Sequence, residues 1–282
     1  MKRKQLFSLV LLFAALSTAW SHATESETVE IQCKIKPIAR SKIHPNGKKA
    51  NLQPSSTSSS AQTTSTNWSG YVAGTDLTGT LGNGSVDYVA GSWVVPTLLA
   101  TADDAHCAIW VGIDGYNSPT MEQIGTSHNW ISGAQQNFAW FEMFPMGSFE
   151  ISGFPVNHGD VISARVGYKQ NGVFKLIIFN HTQNVSTTVP MANTTSTTAL
   201  RSCAEWVVES SFPGTTFPLS DFQTVTFNYC SAVINGVSGL INDGAWMNDE
   251  ITLVDSTGKI QAQPTVLLKN GSCFQVAWKS EN

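Results

Sequence analysis

The feature that most restricts the fold of this chain is a series of short apolar runs separated by turn signals. Trp68–Val72, Tyr88–Val95, Ala108–Ile113, Asn137–Phe144, Val161–Tyr168, Phe174–Asn180, Ala204–Val208, Thr224–Phe227, Glu250–Val254 and Phe274–Trp278 follow one another in this way, and no segment keeps a helical period over three turns. Short apolar runs bounded by Gly, Pro, Asn and Ser read as strands. Asn171-Gly172, Asn235-Gly236 and Asn242-Asp243-Gly244 supply residues that tolerate the positive φ of hairpin turns. The expected fold is all-β, a β-sandwich of two antiparallel sheets of the concanavalin A-like or jelly-roll type, formed by residues 67–282 as one domain.

Within that domain, Cys107-Ala-Ile-Trp-Val-Gly-Ile-Asp-Gly-Tyr116 reads as a buried strand and a turn on Asp114-Gly115, with a second strand opening at Gln123. Its expected partner is Ala204-Glu-Trp-Val-Val-Glu209. The two-residue period of a strand sends Glu205, Val207 and Glu209 to one face of that segment, and Trp206 and Val208 to the other. Gln123 and Glu209 are expected to meet across a groove.

The first 66 residues differ in character. Residues 1–23 read as a signal peptide: Lys2, Arg3 and Lys4 precede the apolar stretch Leu6–Leu16, and Ser21-His22-Ala23 offers small residues for cleavage. The stretch falls short of the ~20 apolar residues that a membrane span needs, so the expected product is secreted and extracellular, with no membrane partner. Residues 24–66 read as a propeptide or flexible Ser/Thr-rich linker, because Pro54–Thr66 holds too few apolar side chains to offset the entropy of ordering it.

Charge divides the chain at nearly the same place. Residues 1–60 carry 9 Lys/Arg against 3 Asp/Glu, net +6, whereas residues 61–282 carry 7 against 17, net −10. A basic leader ahead of an acidic domain suggests a propeptide that lies over an acidic cleft as an inhibitor and leaves when acid protonates the carboxylates it pairs with. The acidity of the domain argues against nucleic acid as a partner, and a monomer is the default for a secreted chain. With charged residues at only 13% of the chain, few bases and the four histidines His106, His128, His158 and His181 are left to repel one another in acid, which favours tolerance of low pH.

Four cysteines, Cys107, Cys203, Cys230 and Cys273, lie in the domain, an even number that in an exported chain suggests two disulfides. No Cys-x-x-Cys pair or His/Cys cluster has metal spacing, so neither a metal nor another cofactor is expected. The sequons at Asn67, Asn83, Asn180, Asn184, Asn193 and Asn270 matter only in a glycosylating host. The common hydrolytic motifs are absent: there is no His-Glu-x-x-His, no Gly-x-Ser-x-Gly and no Asp-Thr/Ser-Gly pair.

Six blocks then follow in a distinctive order: Asn67-Trp-Ser-Gly-Tyr71, Gly91-Ser-Trp-Val-Val-Pro-Thr97, Ala108-Ile-Trp-Val-Gly-Ile-Asp-Gly115, Gln123-Ile-Gly125, Ala139-Trp-Phe-Glu-Met-Phe-Pro145 and Ala204-Glu-Trp-Val-Val-Glu209. In this order they resemble the glutamic peptidases, or eqolisins, across essentially all of residues 67–282. The resemblance implies a sandwich of two seven-stranded antiparallel sheets, acid endopeptidase activity on polypeptides, and a catalytic dyad of Gln123 and Glu209. Trp110, Asp114, Trp140 and Glu142 fall in the same blocks. There the tryptophans read either as groove wall or as core, and Asp114 and Glu142 as hydrogen-bonding support. Glu122 stands where the better-known members have an apolar residue; it either raises the pKa of a neighbouring carboxyl or points to solvent. Phe138 stands where they carry Asp.

The chemistry suits the residue types. A carboxylate can take a proton from water and return it to a leaving nitrogen in acid, where histidine stays protonated; Glu209 is the candidate. The Gln123 amide donates a hydrogen bond to a developing oxyanion at any pH and, being neutral, avoids the like-charge conflict of two carboxylates. Glu205 lies about 13 Å from Glu209 along an extended strand and reads as structural or supporting. Two other classes remain open. A glycoside hydrolase would pair Glu142 with Glu209 at a separation of about 5–10 Å, and a carbohydrate-binding module would use the tryptophans as sugar platforms.

Overall fold

The computed structural model describes residues 28–38, 52–53, 60–77, 84–101, 104–210 and 218–281. The signal-peptide reading of residues 1–23, the tract Pro54–Ser59 and the Asn83 sequon lie outside them. Four strands precede Asn67: β1 (Val29–Glu30), β2 (Lys34–Pro37), β3 (Leu52–Gln53) and β4 (Ser60–Ser65). The chain continues through β5 (Trp68–Gly74), β6 (Val86–Val94), β7 (Ala105–Ile113), β8 (Met121–Ile131), β9 (Ala134–Phe144), β10 (Ser148–Ser152) and β11 (Val161–Gln170). It ends with β12 (Val173–Asn180), β13 (Val185–Thr188), β14 (Cys203–Ser210), β15 (Thr224–Ile234), β16 (Val237–Gly239), β17 (Met247–Val254), β18 (Ile260–Pro264) and β19 (Phe274–Trp278). Every apolar run read from the sequence coincides with a strand.

The strands form two layers. Sheet A runs β1-β13-β12-β11-β6-β15-β16, antiparallel apart from the β1–β13 pair. Sheet B runs β2-β10-β9-β8-β7-β14-β5-β17, antiparallel throughout. Beyond β17 it adds β4, parallel to it, and β18 with β19, so sheet B is wider than the seven strands expected. β15 serves both layers: Thr224–Phe227 pairs with β19, and from Asn228 onward it pairs with β6. The switch falls at a bulge where Tyr229 takes φ 54°, the kind of irregularity that lets one strand change sheets.

Local sequence explains the turns. Asn171-Gly172 and Asn235-Gly236 both adopt positive φ, 53° and 75° in the first and 52° and 74° in the second, and close the β11–β12 and β15–β16 hairpins as read. Asn242-Asp243-Gly244 does not. It lies between β16 and β17, which do not pair with each other, and Trp246 hydrogen-bonds back onto Ile241 there.

Alternation fills the space between the layers. Val89, Trp93, Ile162, Val166, Leu176 and Ile178 of sheet A share one cluster with Ile109, Val111, Ile113, Ile124, Phe141, Trp206 and Val208 of sheet B. Each such fully buried side chain contributes about 1.5–3 kcal/mol, so this cluster carries most of the drive to fold.

Two expectations are corrected. The segment before Asn67 is not devoid of structure. β1 adds to the edge of sheet A, β2 adds to the edge of sheet B, and Ile31, Cys33 and Ile35 pack against the main core between them. β4 also buries Thr63 and Ser65. Polar composition had argued for disorder, yet backbone pairing to an existing sheet edge supplies the ordering that side chains lack. The second concerns the disulfides: no bridge joins Cys33, Cys107, Cys203, Cys230 or Cys273 in this structure, although Cys230 and Cys273 are close enough to interact. Cys107 sits opposite Ser210 and faces the main core, whereas Cys203 lies at the other end of β14 in a separate cluster. That places them about 23 Å apart along the strand direction, far beyond the ~7 Å Cα limit for a bridge.

Candidate functional site

The outer face of sheet B, turned away from the main core, carries a second cluster. Trp68, Val72, Ala108, Trp110, Tyr116, Met121, Trp140, Cys203, Val207 and Ile251 form it, with Ile38, Leu77, Phe138 and Phe144 packed against it. Of the tryptophans in the sequence blocks, Trp68, Trp110 and Trp140 therefore belong to this face, whereas Trp93 and Trp206 lie in the main core.

Strand register explains how the polar groups gather there. β7 and β8 pair so that Trp110 faces Gly125 and Gly112 faces Gln123. Each large side chain thus lies over its partner's glycine. A Cβ on Gly125 would lie 2.5 Å from the Trp110 Cβ, and one on Gly112 would lie 3.1 Å from the Gln123 Cβ and 3.2 Å from Glu205 Oε2. The two glycines open notches, and the rows extend across neighbouring strands: Glu205, Gly112, Gln123 and Glu142 form one row, and Val207, Trp110, Gly125 and Trp140 the next. Glu209 begins a third row beside Trp68 and Ala108.

Gln123, Glu142, Glu205, Trp110 and Trp140 are all fully buried, and Glu209 is 1% exposed. Gln123 Nε2 donates to Glu142 Oε2 at 2.6 Å, which fixes which end of the amide faces β9. Its Oε1 has no hydrogen-bond partner among the described residues. Trp110 Nε1 donates to Glu209 Oε2 at 2.9 Å, and Asn67 Nδ2 approaches Oε1 at 3.5 Å. Burial, followed by the Glu142 carboxyl, raises the Glu209 pKa well above the ordinary carboxyl range, with donors from the indoles and Asn67 opposing. Gln123 and Glu209 thus share one face, with β7 between their strands and the Trp110 indole reaching the carboxyl.

The remaining candidates take distinct places. Asp114, at φ 71° just past β7, accepts hydrogen bonds from the Leu200, Arg201 and Ser202 backbone N–H groups at 2.7–2.8 Å, from Ser202 Oγ at 2.7 Å and from Thr120 Oγ1 at 3.1 Å. It clamps the approach to β14 against the end of β7 and so sets the register that delivers Glu205 and Glu209. Glu205 accepts from Cys203 Sγ at 2.7 Å, and burial raises its pKa. Glu122 is fully buried and not in solvent; burial and then Asp114 raise its own pKa, and its charge helps to raise that of Glu205.

Sequence reasoning left out Asn67, Trp68, Cys203, Tyr116 and Asp249. Tyr116 donates to Asp249 Oδ2 at 2.5 Å at the flank of the same cluster. Asn67 and Trp68 stood in the first block, and the β5–β14 register that seats Trp68 opposite Glu209 was the signal that could have found them. Among the described residues, no group of three His, Cys, Asp or Glu is placed to hold a metal ion, and no helix is long and apolar enough to cross a membrane.

Fold and site together define a class: a two-layer β-sandwich with a carboxyl and carboxamide cluster walled by indoles on the outer face of one sheet. The chain belongs to the Peptidase A4 family, whose profile matches residues 66–272. It is 27% identical over 150 residues to Aspergillopepsin-2 of Aspergillus niger, covering 52% of this chain and 53% of that protein. It is also 27% identical over 165 residues to Scytalidopepsin B of Scytalidium lignicola, covering 56% of this chain and 62% of that one. The chain therefore spans a little over half the length of these relatives. In three dimensions it is similar to scytalido-glutamic peptidase solved with a transition state analog inhibitor, with TM-score 0.62 and 22% identity over 76% of this chain and 98% of that one. It is likewise similar to aspergilloglutamic peptidase from Aspergillus niger, with TM-score 0.54 and 22% identity over 62% and 99%. These two likenesses establish the fold.

Proposed function

We propose that this chain is a secreted, acid-active glutamic endopeptidase that hydrolyses polypeptides with Gln123 and Glu209. The observation that carries the reading is the seating of both side chains on one walled face, the amide oriented by Glu142 and the carboxyl by Trp110. Family membership supports the peptidase class.

In the open site, Glu209 takes a proton from a water as that water attacks the scissile carbonyl, and afterwards returns it to the leaving nitrogen. One N–H of Gln123 is committed to Glu142, leaving the other for the developing oxyanion. For Glu209 to act as a base it must ionise, and its burial in the full chain opposes that. Admitting water removes the largest cause of the upward shift. Glu142, already engaged by Gln123, is poorly placed to serve as the second carboxyl of a glycoside hydrolase.

The cover follows from the same geometry. We propose that part of residues 24–66 is an inhibitory propeptide: β2 extends the β9–β10 edge of sheet B, Ile38 donates its N–H to the Ser148 carbonyl, and its side chain packs on the outer cluster. Lys36 stands directly opposite Glu150 in the strand register, which sets opposite charges side by side along that edge. If a peptide of residues 24–60 leaves the mature domain uninhibited near neutral pH, this part of the proposal is wrong.

The activity itself is tested by digestion of a denatured protein from pH 2 to 8, with a chelator and pepstatin present. Cleavage confined to acid that persists with both reagents and collapses in folded Glu209→Gln and Gln123→Ala is the expected result. Acid cleavage retained in both variants would move the chemistry elsewhere.

A further inference from the structure

On the opposite side of the molecule, the outer face of sheet A holds an open concavity of about 250 Å³ lined by Tyr88, Arg165, Gly167, Lys169, Lys175 and Ile177. Three of the seven Lys/Arg in residues 61–282 converge there, in a stretch whose net charge is −10. Alternation on β6, β11 and β12 places them: Tyr88, Gly167 and Lys175 form one cross-strand row, and Ala90, Arg165 and Ile177 the next.

No described carboxylate neutralises the cations of this concavity. Among the described residues the one ion pair joins Arg201 to Asp87, so none of their carboxylates lies within 4 Å of Arg165, Lys169 or Lys175. The neighbours in register, Ala90, Ser231, Thr188 and Val233, carry no charge. The Arg165 guanidinium rests 4.9 Å from the centre of the Phe179 ring, a contact that holds its planar fork in place without consuming its donors. Gly167 leaves the floor without a side chain, and Tyr88 and Ile177 supply apolar wall.

We infer that this concavity binds a sugar carrying phosphate or sulfate esters. A fixed guanidinium with two flexible ammonium groups matches the oxygens of a tetrahedral anion. The volume is small for a drug-sized ligand and suits one ring, stacked on Tyr88. Below about pH 3 a uronate loses its charge while sulfate and phosphate monoesters keep at least one, so the esters stay complementary to these cations over the wider acid range. The site lies on the other sheet from Gln123 and Glu209 and stands or falls independently of the peptidase reading.

The test is calorimetric titration of the full chain near pH 4 with glucosamine 6-sulfate, mannose 6-phosphate and unmodified mannose. At least one ester binds, and mannose binds about tenfold more weakly or not at all. Arg165→Gln and Lys175→Gln each weaken ester binding roughly tenfold, in line with loss of one charge-assisted hydrogen bond. Lys279→Gln removes the same charge elsewhere and leaves binding within about twofold. The ester that binds identifies the source of the oxyanion. Failure of both esters at millimolar concentration, or equal weakening by Lys279→Gln, overturns the proposal.

Discussion

On the outer face of sheet B, β7, β8, β9 and β14 present Trp110, Gln123, Glu142, Glu205 and Glu209, every one of them buried. On the outer face of sheet A, β6, β11 and β12 present Tyr88, Arg165 and Lys175 around an open concavity. The same two-residue period builds both faces. What separates them is cover: the carboxyls of sheet B are buried beside an apolar cluster, and burial raises the pKa values of Glu205 and Glu209. The cations of sheet A, in contrast, are reached by water.

The sharpest way to break the comparison is to remove a donor from each face. Gln123→Ala is expected to lower kcat in acid by roughly 10²–10³, the loss typical of one oxyanion-hole donor, while melting stays close to wild type. Arg165→Ala on the other face should leave cleavage unchanged. Equal activity in both variants would erase the functional distinction between the faces.

The next effect is on stability against pH. Burial, the first cause in each case, raises the pKa values of Glu122, Glu205, Glu209 and Asp249. Their unfolded values are near 4. Below that pH both states are protonated and stability is whole; as pH rises toward the native values the unfolded chain ionises first, and stability falls. His128 works in the other direction: burial lowers it to about 4, so its contribution is whole above the unfolded value near 6.5 and is lost as pH falls from there to about 4. Asp160, whose pKa is lowered, also favours the higher range. His106, His181 and Asp255 are lowered too and act with them, but Glu122, Glu205 and Glu209 are raised well above the ordinary range, so the carboxyls predict a higher melting temperature at pH 4–5 than at pH 8. Glu205→Gln should flatten that slope, and melting temperatures of both proteins across the range check it.

A smaller test uses glycine. Gly112→Ala puts a methyl 2.9 Å from the Trp110 ring, with Gln123 and Glu205 close behind, and is expected to cost about 1–3 kcal/mol by overpacking. Gly167→Ala meets nothing nearer than Tyr88 at 3.5 Å and should stay within about 0.5 kcal/mol. Denaturant titration of the pair measures the contrast. Smallest of all is the effect of reductant: with free cysteines throughout the described residues, dithiothreitol should leave the melting temperature unmoved.

These contrasts show which parts of the molecule could be read from residues alone. The strands of both layers were legible because apolar runs and Asn-Gly turns are local signals, as at Asn171-Gly172. The alternation of Glu205, Val207 and Glu209 was legible for the same reason. The partners of Gln123 and Glu209 were not, because Glu142 and Trp110 reach them only through the registers of β8 with β9 and β14 with β7. Cysteine parity could not say which thiols meet: Cys107 and Cys203 fall at opposite ends of β14, whereas Cys230 and Cys273 are neighbours. The leader misled: Lys34–Pro37 has little apolar content, and its order comes from a sheet edge far along the sequence.

Glu205 and Glu209 lie on one strand and one face, both with raised pKa values, and the choice between them is the most direct test of the proposed chemistry. The measurement is kcat/KM at acid pH for the mature Glu205→Gln and Glu209→Gln proteins, each shown to be folded. Loss of roughly 10²–10⁴ in Glu209→Gln with activity largely kept in Glu205→Gln is the predicted result. Activity lost in Glu205→Gln and retained in Glu209→Gln would contradict it and move the base to the row that Glu205 shares with Gln123.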